Sequence, residues 1–355
     1  WDYWHHTPPA GEVMFQRSAS TSLEGIPEMD KRAVLTQRLA IATAIGMFIV
    51  LMMGAGVTAT GSGNGCGNDW PLCHGRLIPQ NYLQSVIEYS HRFVTSIEGL
   101  LVLATCIVAW PLRRVHPDFK ILVPALGFTL VLQSLMGAAA VKWPQSATVM
   151  ATHFGISMIC LASAVLIARI LIDGGRHRGP KIARNPIPTA LHAMIVVAFF
   201  ASIIVAYSGA YVRHTHSEIA CGIQWPLCNG QVIPDPANNA GIHFTHRISA
   251  VAITFIILGM FLLAYRARDS RPDLYAHGRM AMIVVILQSL AGAIVVLSKV
   301  QLLSTLTHAA LMAILFVVLS DGVLRILPDR STHTSATPLP DQGIDGRLAP
   351  SGQGD

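Results

Sequence analysis

Eight stretches of this chain, roughly residues 39–60, 86–110, 121–141, 148–170, 190–212, 244–265, 278–298 and 303–325, are apolar and nearly free of charge. Each has about the ~20 residues that a helix needs to cross a bilayer. The alternation of a barrel strand is absent from them. The expected fold class is therefore an all-α integral membrane protein with eight transmembrane helices. Composition agrees. The chain is 52% hydrophobic and only 12% charged, about half the charged fraction of a soluble domain.

The basic residues give these helices a direction. Lys and Arg collect in cytoplasmic loops. Here Arg113, Arg114 and Lys120 fall between stretches two and three. Arg176, Arg178, Lys181 and Arg184 fall between four and five, and Arg266, Arg268, Arg271 and Arg279 between six and seven. The opposite side shows Arg76, Lys142, Arg213 and Lys299. Both termini are thus expected in the cytoplasm of a bacterial cell, with the loops after stretches one and five outside its plasma membrane. The net charge of +6 reflects this topology and points to lipid surroundings, not to nucleic acid.

Those two outer loops read CGNDWPLCHGRLIP at 66–79 and CGIQWPLCNGQVIP at 221–234, identical at nine of fourteen positions. The offset of 155 residues extends far beyond them. Gly54 matches Gly209, His91-Arg92 matches His246-Arg247, Gln133 to Gly137 matches Gln288 to Gly292, and Thr152-His153 matches Thr307-His308, without a gap. The chain reads as two tandem four-helix bundles. An even number of helices per copy keeps both copies in one orientation, related by pseudo-twofold symmetry about the membrane normal. The expected division is an N-terminal extension over 1–34, a first four-helix unit over 35–172, a cytoplasmic linker over 173–188, a second four-helix unit over 189–327 and a disordered tail over 328–355. Within the extension, Met14 and Met29 each fit as a start.

Four histidines, His91, His153, His246 and His308, lie inside apolar helices at repeat-equivalent positions. An ionisable group in a membrane span suggests a site. Each unit offers two imidazoles on two helices at matched depth, which is what a bundle needs to hold one haem iron from both faces. The alternative is that each ring serves a neighbouring carbonyl. Arg92 and Arg247 follow two of these histidines and suit haem propionates, or ordinary snorkelling at a helix end.

Each cysteine pair, Cys66 with Cys73 and Cys221 with Cys228, sits where an oxidising compartment lets a small disulfide ring close. A loop staple, a redox role and, more weakly, zinc all remain open. Cys106 and Cys160 lie within helices and read as packing residues. Gln133 and Gln288 read as interhelical hydrogen-bonding groups.

The repeat breaks at one informative place. Glu88 lies one turn from His91, on the same face, and its counterpart is His243. A carboxylate beside a haem pocket can take a proton or stabilise a developing cation. The plain alternative is an exposed acid at a helix end. Glu98, deeper on the same face, reads as a polar partner within the bundle. Chemistry in the first unit and a permanent haem in the second is the division this asymmetry suggests.

The motifs IEYSHR at 87–92, the paired WPLC loops, ATHFG at 151–155, and FTHR and LTHA in the second half resemble haem A synthase over about residues 35–327. The resemblance implies eight helices in two halves. It implies that His91 and His153 flank the substrate haem O, that His246 and His308 ligate a haem B, and that Glu88 is catalytic. It places Cys66–Cys73 and Cys221–Cys228 among bacterial forms with cysteines in both large outer loops. The implied reaction oxidises a methyl group of haem O to a formyl by successive hydroxylation and loss of water, giving haem A for terminal oxidases. Bis-histidine ligation leaves no open iron position, so either one ligand dissociates or oxidation proceeds by electron removal from the macrocycle and attack by water, the second route being the expectation. A haem O synthase and terminal oxidase assembly factors are the implied partners, and the resemblance leaves room for a homo-oligomer. Two other readings use the same residues. A non-catalytic dihaem b-type electron carrier would need no Glu88, and a transporter would place its polar residues at mid-membrane.

Overall fold

A computed structural model describes residues 31–69, 72–79, 82–142, 146–173 and 186–327. Eight α-helices account for most of them: α1 Lys31–Ala59, α2 Leu83–Ala109, α3 Phe119–Lys142, α4 Ala147–Ile172, α5 Thr189–His214, α6 Asn239–Arg266, α7 Pro272–Leu297 and α8 Leu302–Ile326. All eight are long and apolar enough to cross a membrane, as their sequence predicts. A multi-pass helical membrane protein is the result.

The helices outrun the apolar stretches, because polar residues at a bilayer surface still complete helical turns. α1 begins at Lys31, inside the stretch read as extension; Lys31 and Arg32 are exposed and prolong the helix. α6 starts at Asn239, where the Asn238 side chain accepts the Gly241 N–H at 2.9 Å, a side-chain N-cap. α7 starts on Pro272, which needs no N–H partner in a first turn. Trp110–Arg114 adds a 3-10 turn after α2. The expected extension up to residue 30, most of the linker (174–185) and the tail from 328 lie outside the described residues.

Two cores organise the packing. One joins α1 to α4, with Met47, Val102, Phe119, Leu126 and Ile167 fully or nearly fully buried, and extends to Ala206 of α5 and to Met312, Phe316 and Leu324 of α8. The other joins α5 to α8 around Leu191, Ile195, Ile257, Met260 and Leu274. Within the first set, α1 packs on α2 and α4, and α3 on α4; within the second, α5 packs on α6 and α8, and α7 on α8. α4 also packs on α5 and α8, so it is covered from both sides and is the most buried helix. Large apolar side chains such as Phe128, Leu135 and Ile204 point outward, as a lipid-facing surface requires.

Polar contacts pin the two sets together at both ends. Near one end Arg213 on α5 donates to the Thr58 carbonyl of α1 at 3.1 Å and pairs with Glu218. At the other, Asp321 on α8 pairs with Arg169 on α4 and with Arg325 at 2.6 Å, and His277 of α7 lies 3.7 Å away. A buried carboxylate surrounded by cations is held by their charge.

The two cysteine loops are built alike. Each is closed by a disulfide, Cys66–Cys73 and Cys221–Cys228, with Cα atoms 4.5 Å apart in both. Cys73 pairs with Arg76, and Cys228 with Gln231, around two-residue turns His74-Gly75 and Asn229-Gly230. All four turn residues have positive φ, which suits Gly and Asn. His74 donates to the Gly65 carbonyl at 3.0 Å, and Asn229 to the equivalent Ala220 carbonyl at 2.9 Å. His74 and Asn229 therefore do one job, and zinc is not needed to account for the histidine.

Candidate functional site

All four histidines open onto one cavity of about 1870 Å³. Single-ligand pockets run to about 300–1,000 Å³, so there is room for two large ligands. His91 and His153 lie within Coulombic reach of each other, as do His246 and His308. All four lie within the first three turns of α2, α4, α6 and α8.

Each ring is seated against a glycine of the preceding helix. A methyl group placed on Gly54, Gly137, Gly209 or Gly292 would lie 3.3, 3.7, 2.9 or 3.1 Å from Cε1 of His91, His153, His246 or His308 respectively. The missing side chains let the rings lie against backbone while their other faces border the cavity. Nδ1 of His91, His153 and His308 is buried without a hydrogen-bond partner; only His246 has one there, the Ser208 hydroxyl at 2.9 Å.

Among the described residues no group of three or more His, Cys, Asp or Glu converges to enclose a bare metal ion. A metal that brings its own in-plane donors needs only two axial ligands. Paired imidazoles in an apolar cavity fit haem on that ground.

Glu88 is not an exposed helix-end acid. It is 5% exposed; one oxygen accepts the Cys66 N–H at 2.8 Å and the other accepts from Arg92. His243 holds the corresponding place, with the Cys221 N–H 3.4 Å from Nδ1 and Arg247 Nε 3.2 Å from Nε2. A carboxylate can accept both bonds at once, whereas a neutral imidazole has one acceptor nitrogen and can satisfy only one of the two donors. The loop of the first unit is the better anchored.

Arg92 and Arg247 line the cavity while bracing the loops. Arg92 donates to the Asp69 carbonyl at 2.7 Å; Arg247 donates to the equivalent Gln224 carbonyl at 2.8 Å and to Gly222 at 2.7 Å. Arg92 Nε is left without a partner. Both loops reach the cavity, through Asn64 and Asn68 in one and Ile223 and Trp225 in the other.

Glu98 is 4% exposed, lines the cavity, and leaves Oε1 unpaired. Its carboxyl occupies the space that a side chain on Gly46 would need. Gln133 donates to Cys160 Sγ at 3.8 Å and Gln288 lies 3.4 Å from His308 Nε2, both interhelical. Sequence reading missed Ser208 and the crossing of units at His214: that α5 residue lines the cavity within Coulombic reach of His153. Gly54 and Gly209 were visible as repeat matches; their function as ring seats was not.

The model for cytochrome oxidase assembly proteins of the COX15-CtaA type matches residues 37–320. The chain belongs to the COX15-CtaA family. Curated relatives agree along most of their length. The heme A synthase of Shouchella clausii is 37% identical over 295 residues, covering 82% of this chain and 96% of the relative. That of Halalkalibacterium halodurans is 36% identical over 278 residues, 78% and 92% of the two chains. That of Geobacillus thermodenitrificans is 36% identical over 298 residues, 84% and 93%. The family match reaches all eight helices and spans both disulfide loops.

Proposed function

We propose that this COX15-CtaA member is a haem A synthase, converting a methyl group of haem O to the formyl group of haem A for terminal oxidase assembly. The single observation that carries the reading is two pairs of imidazoles on one large apolar cavity, in a chain whose relatives bear that name over nearly their whole length. In this reading His91 and His153 hold the substrate haem O, and His246 and His308 hold a resident haem B. When bound, haem B supplies one-electron transfer.

The protein's own part is positioning and proton handling. With water as oxygen source, a methyl group and one water give a formyl group, four protons and four electrons, and the four electrons have to pass to an external oxidant. Glu88 borders the cavity with both oxygens engaged by donors, yet each keeps acceptor capacity, so it can take a proton or balance a cation. Arg92 and Arg247 put positive charge at the pocket mouths, where propionates would seek it. The cysteine loops cover those mouths, and their disulfides act as staples. The two units are read as 35–172 and 189–327, related by an axis along the membrane normal, with both termini cytoplasmic and the cysteine loops outside.

The test separates the units. Purified His91→Ala and His153→Ala variants, co-expressed with a haem O supply, are expected to keep haem B and make no haem A. His246→Ala and His308→Ala are expected to lose haem B. Haem B as the only pigment in the wild type, at two per chain, would identify an electron carrier instead.

A further inference from the structure

Building on the haem reading above, we infer that Ser208 is a positioning residue that anchors the His246 ring through Nδ1, and so makes the second pocket the one that keeps its haem. Ser208 precedes Gly209, the seat of the His246 ring, and its Oγ lies 2.9 Å from His246 Nδ1. The same Oγ lies 2.9 Å from the Val205 carbonyl one turn back. A hydroxyl has one proton and a carbonyl can only accept. The arrangement that satisfies both neighbours has Ser208 donating to Val205 and accepting from Nδ1–H of His246. That places the ring proton on Nδ1 and leaves the Nε2 lone pair free for a metal. Ser249 leaves this assignment undisturbed: its Oγ sits 3.4 Å from Ser208, with its own proton turned back on the Thr245 and His246 carbonyls.

Neither hydroxyl has a counterpart in the first unit. The positions equivalent to Ser208 and Ser249 are Met53 and Val94, which cannot hold an imidazole. His91 Nδ1 accordingly has no partner, nor do those of His153 and His308. A partner at the second nitrogen sets ring orientation and raises ligand basicity. A ring without one turns and releases more readily. This difference matches the two tasks: a substrate haem must enter and leave, and an electron-transfer haem must stay.

The experiment uses the full chain, purified with haem B as the only haem supplied. Potentiometric titration follows each haem, and transfer to apomyoglobin follows its loss. His246→Ala identifies the second-pocket component as the one that disappears. Ser208→Ala is expected to speed loss of that component about tenfold and to raise its midpoint potential; a tenfold change in the ferric-to-ferrous affinity ratio is about 59 mV for one electron. Ser208→Thr, which restores the hydroxyl, is expected to return both values toward wild type. Ser208→Cys keeps the volume with a weak acceptor and serves if the alanine variant does not fold. Unchanged potential and unchanged loss in both Ser208→Ala and Ser208→Cys, with His246→Ala still removing one component, would overturn the role of Ser208 alone. Retention of every component in His246→Ala would overturn the ligand reading beneath it.

Discussion

The Glu88 carboxylate accepts the backbone N–H of Cys66 at 2.8 Å, so the residue best suited to chemistry also ties a disulfide loop to its helix. The observed structural role and the proposed chemical role fall on one side chain and have to be separated by variants. Glu88→Ala strands a buried N–H and the Arg92 charge, a loss on the order of 3 kcal/mol. Glu88→His copies the second unit and keeps one of the two bonds. Thermal melting is expected to fall further for alanine than for histidine, while haem O conversion is lost in both. Wild-type turnover in Glu88→His would show that the carboxylate has no chemical role.

The glycine seats give a graded test. A methyl at Gly209 would press on His246 from 2.9 Å, at Gly292 on His308 from 3.1 Å, and at Gly54 on His91 from 3.3 Å, whereas Gly137 offers His153 an ordinary 3.7 Å contact. Overpacking of this kind costs about 1–3 kcal/mol. Haem per chain in the four Gly→Ala variants is expected to fall in the order Gly209, Gly292, Gly54, Gly137, from most to least affected. Uniform losses would contradict the seating of the rings.

Glu98 and Gly46 form a second matched pair. The equivalent residues are Ile253 and Ala201, so the unit with the large acid has no side chain where the other has a methyl. Gly46→Ala alone collides with the Glu98 carboxyl and is expected to lower the melting temperature. Glu98→Ile removes a buried unpaired oxygen and is expected to raise it. Measured together, the double variant should recover the loss from Gly46→Ala, a coupling of about 1–3 kcal/mol in a double-mutant cycle. Additive effects would mean the two positions are independent.

These pairs show what was legible beforehand. The eight spans, the disulfide pairs and the four histidines each carry a signal of hydrophobicity, redox chemistry or charge in hydrocarbon that composition and spacing expose. The burial of Glu88 was not legible, because an acid near a helix end looks solvated until the loop that covers it is placed. Nor was the role of Ser208, since a serine in an apolar helix ordinarily bonds its own backbone, and only three-dimensional neighbours reveal a second partner. His214 reaching from α5 toward His153 depends on how the two units dock, which the repeat does not encode.

The disulfides close loops with a sequence separation of seven. Loop-closure entropy assigns each roughly 2–3 kcal/mol. Replacing both cysteines of a loop by serine is expected to lower the melting temperature and haem retention while leaving turnover per bound haem intact. Full haem content with abolished turnover would point to electron transfer through the thiols.

The most direct measurement is extraction and mass spectrometry of the pigments from purified wild type and Glu88→His, each expressed with a haem O supply. Haem A or its hydroxylated precursor in the wild type, with haem O accumulating in the variant beside an unchanged haem B, is the expected result. Haem B alone in both proteins would contradict synthase activity, and haem A in both would remove Glu88 from the chemistry.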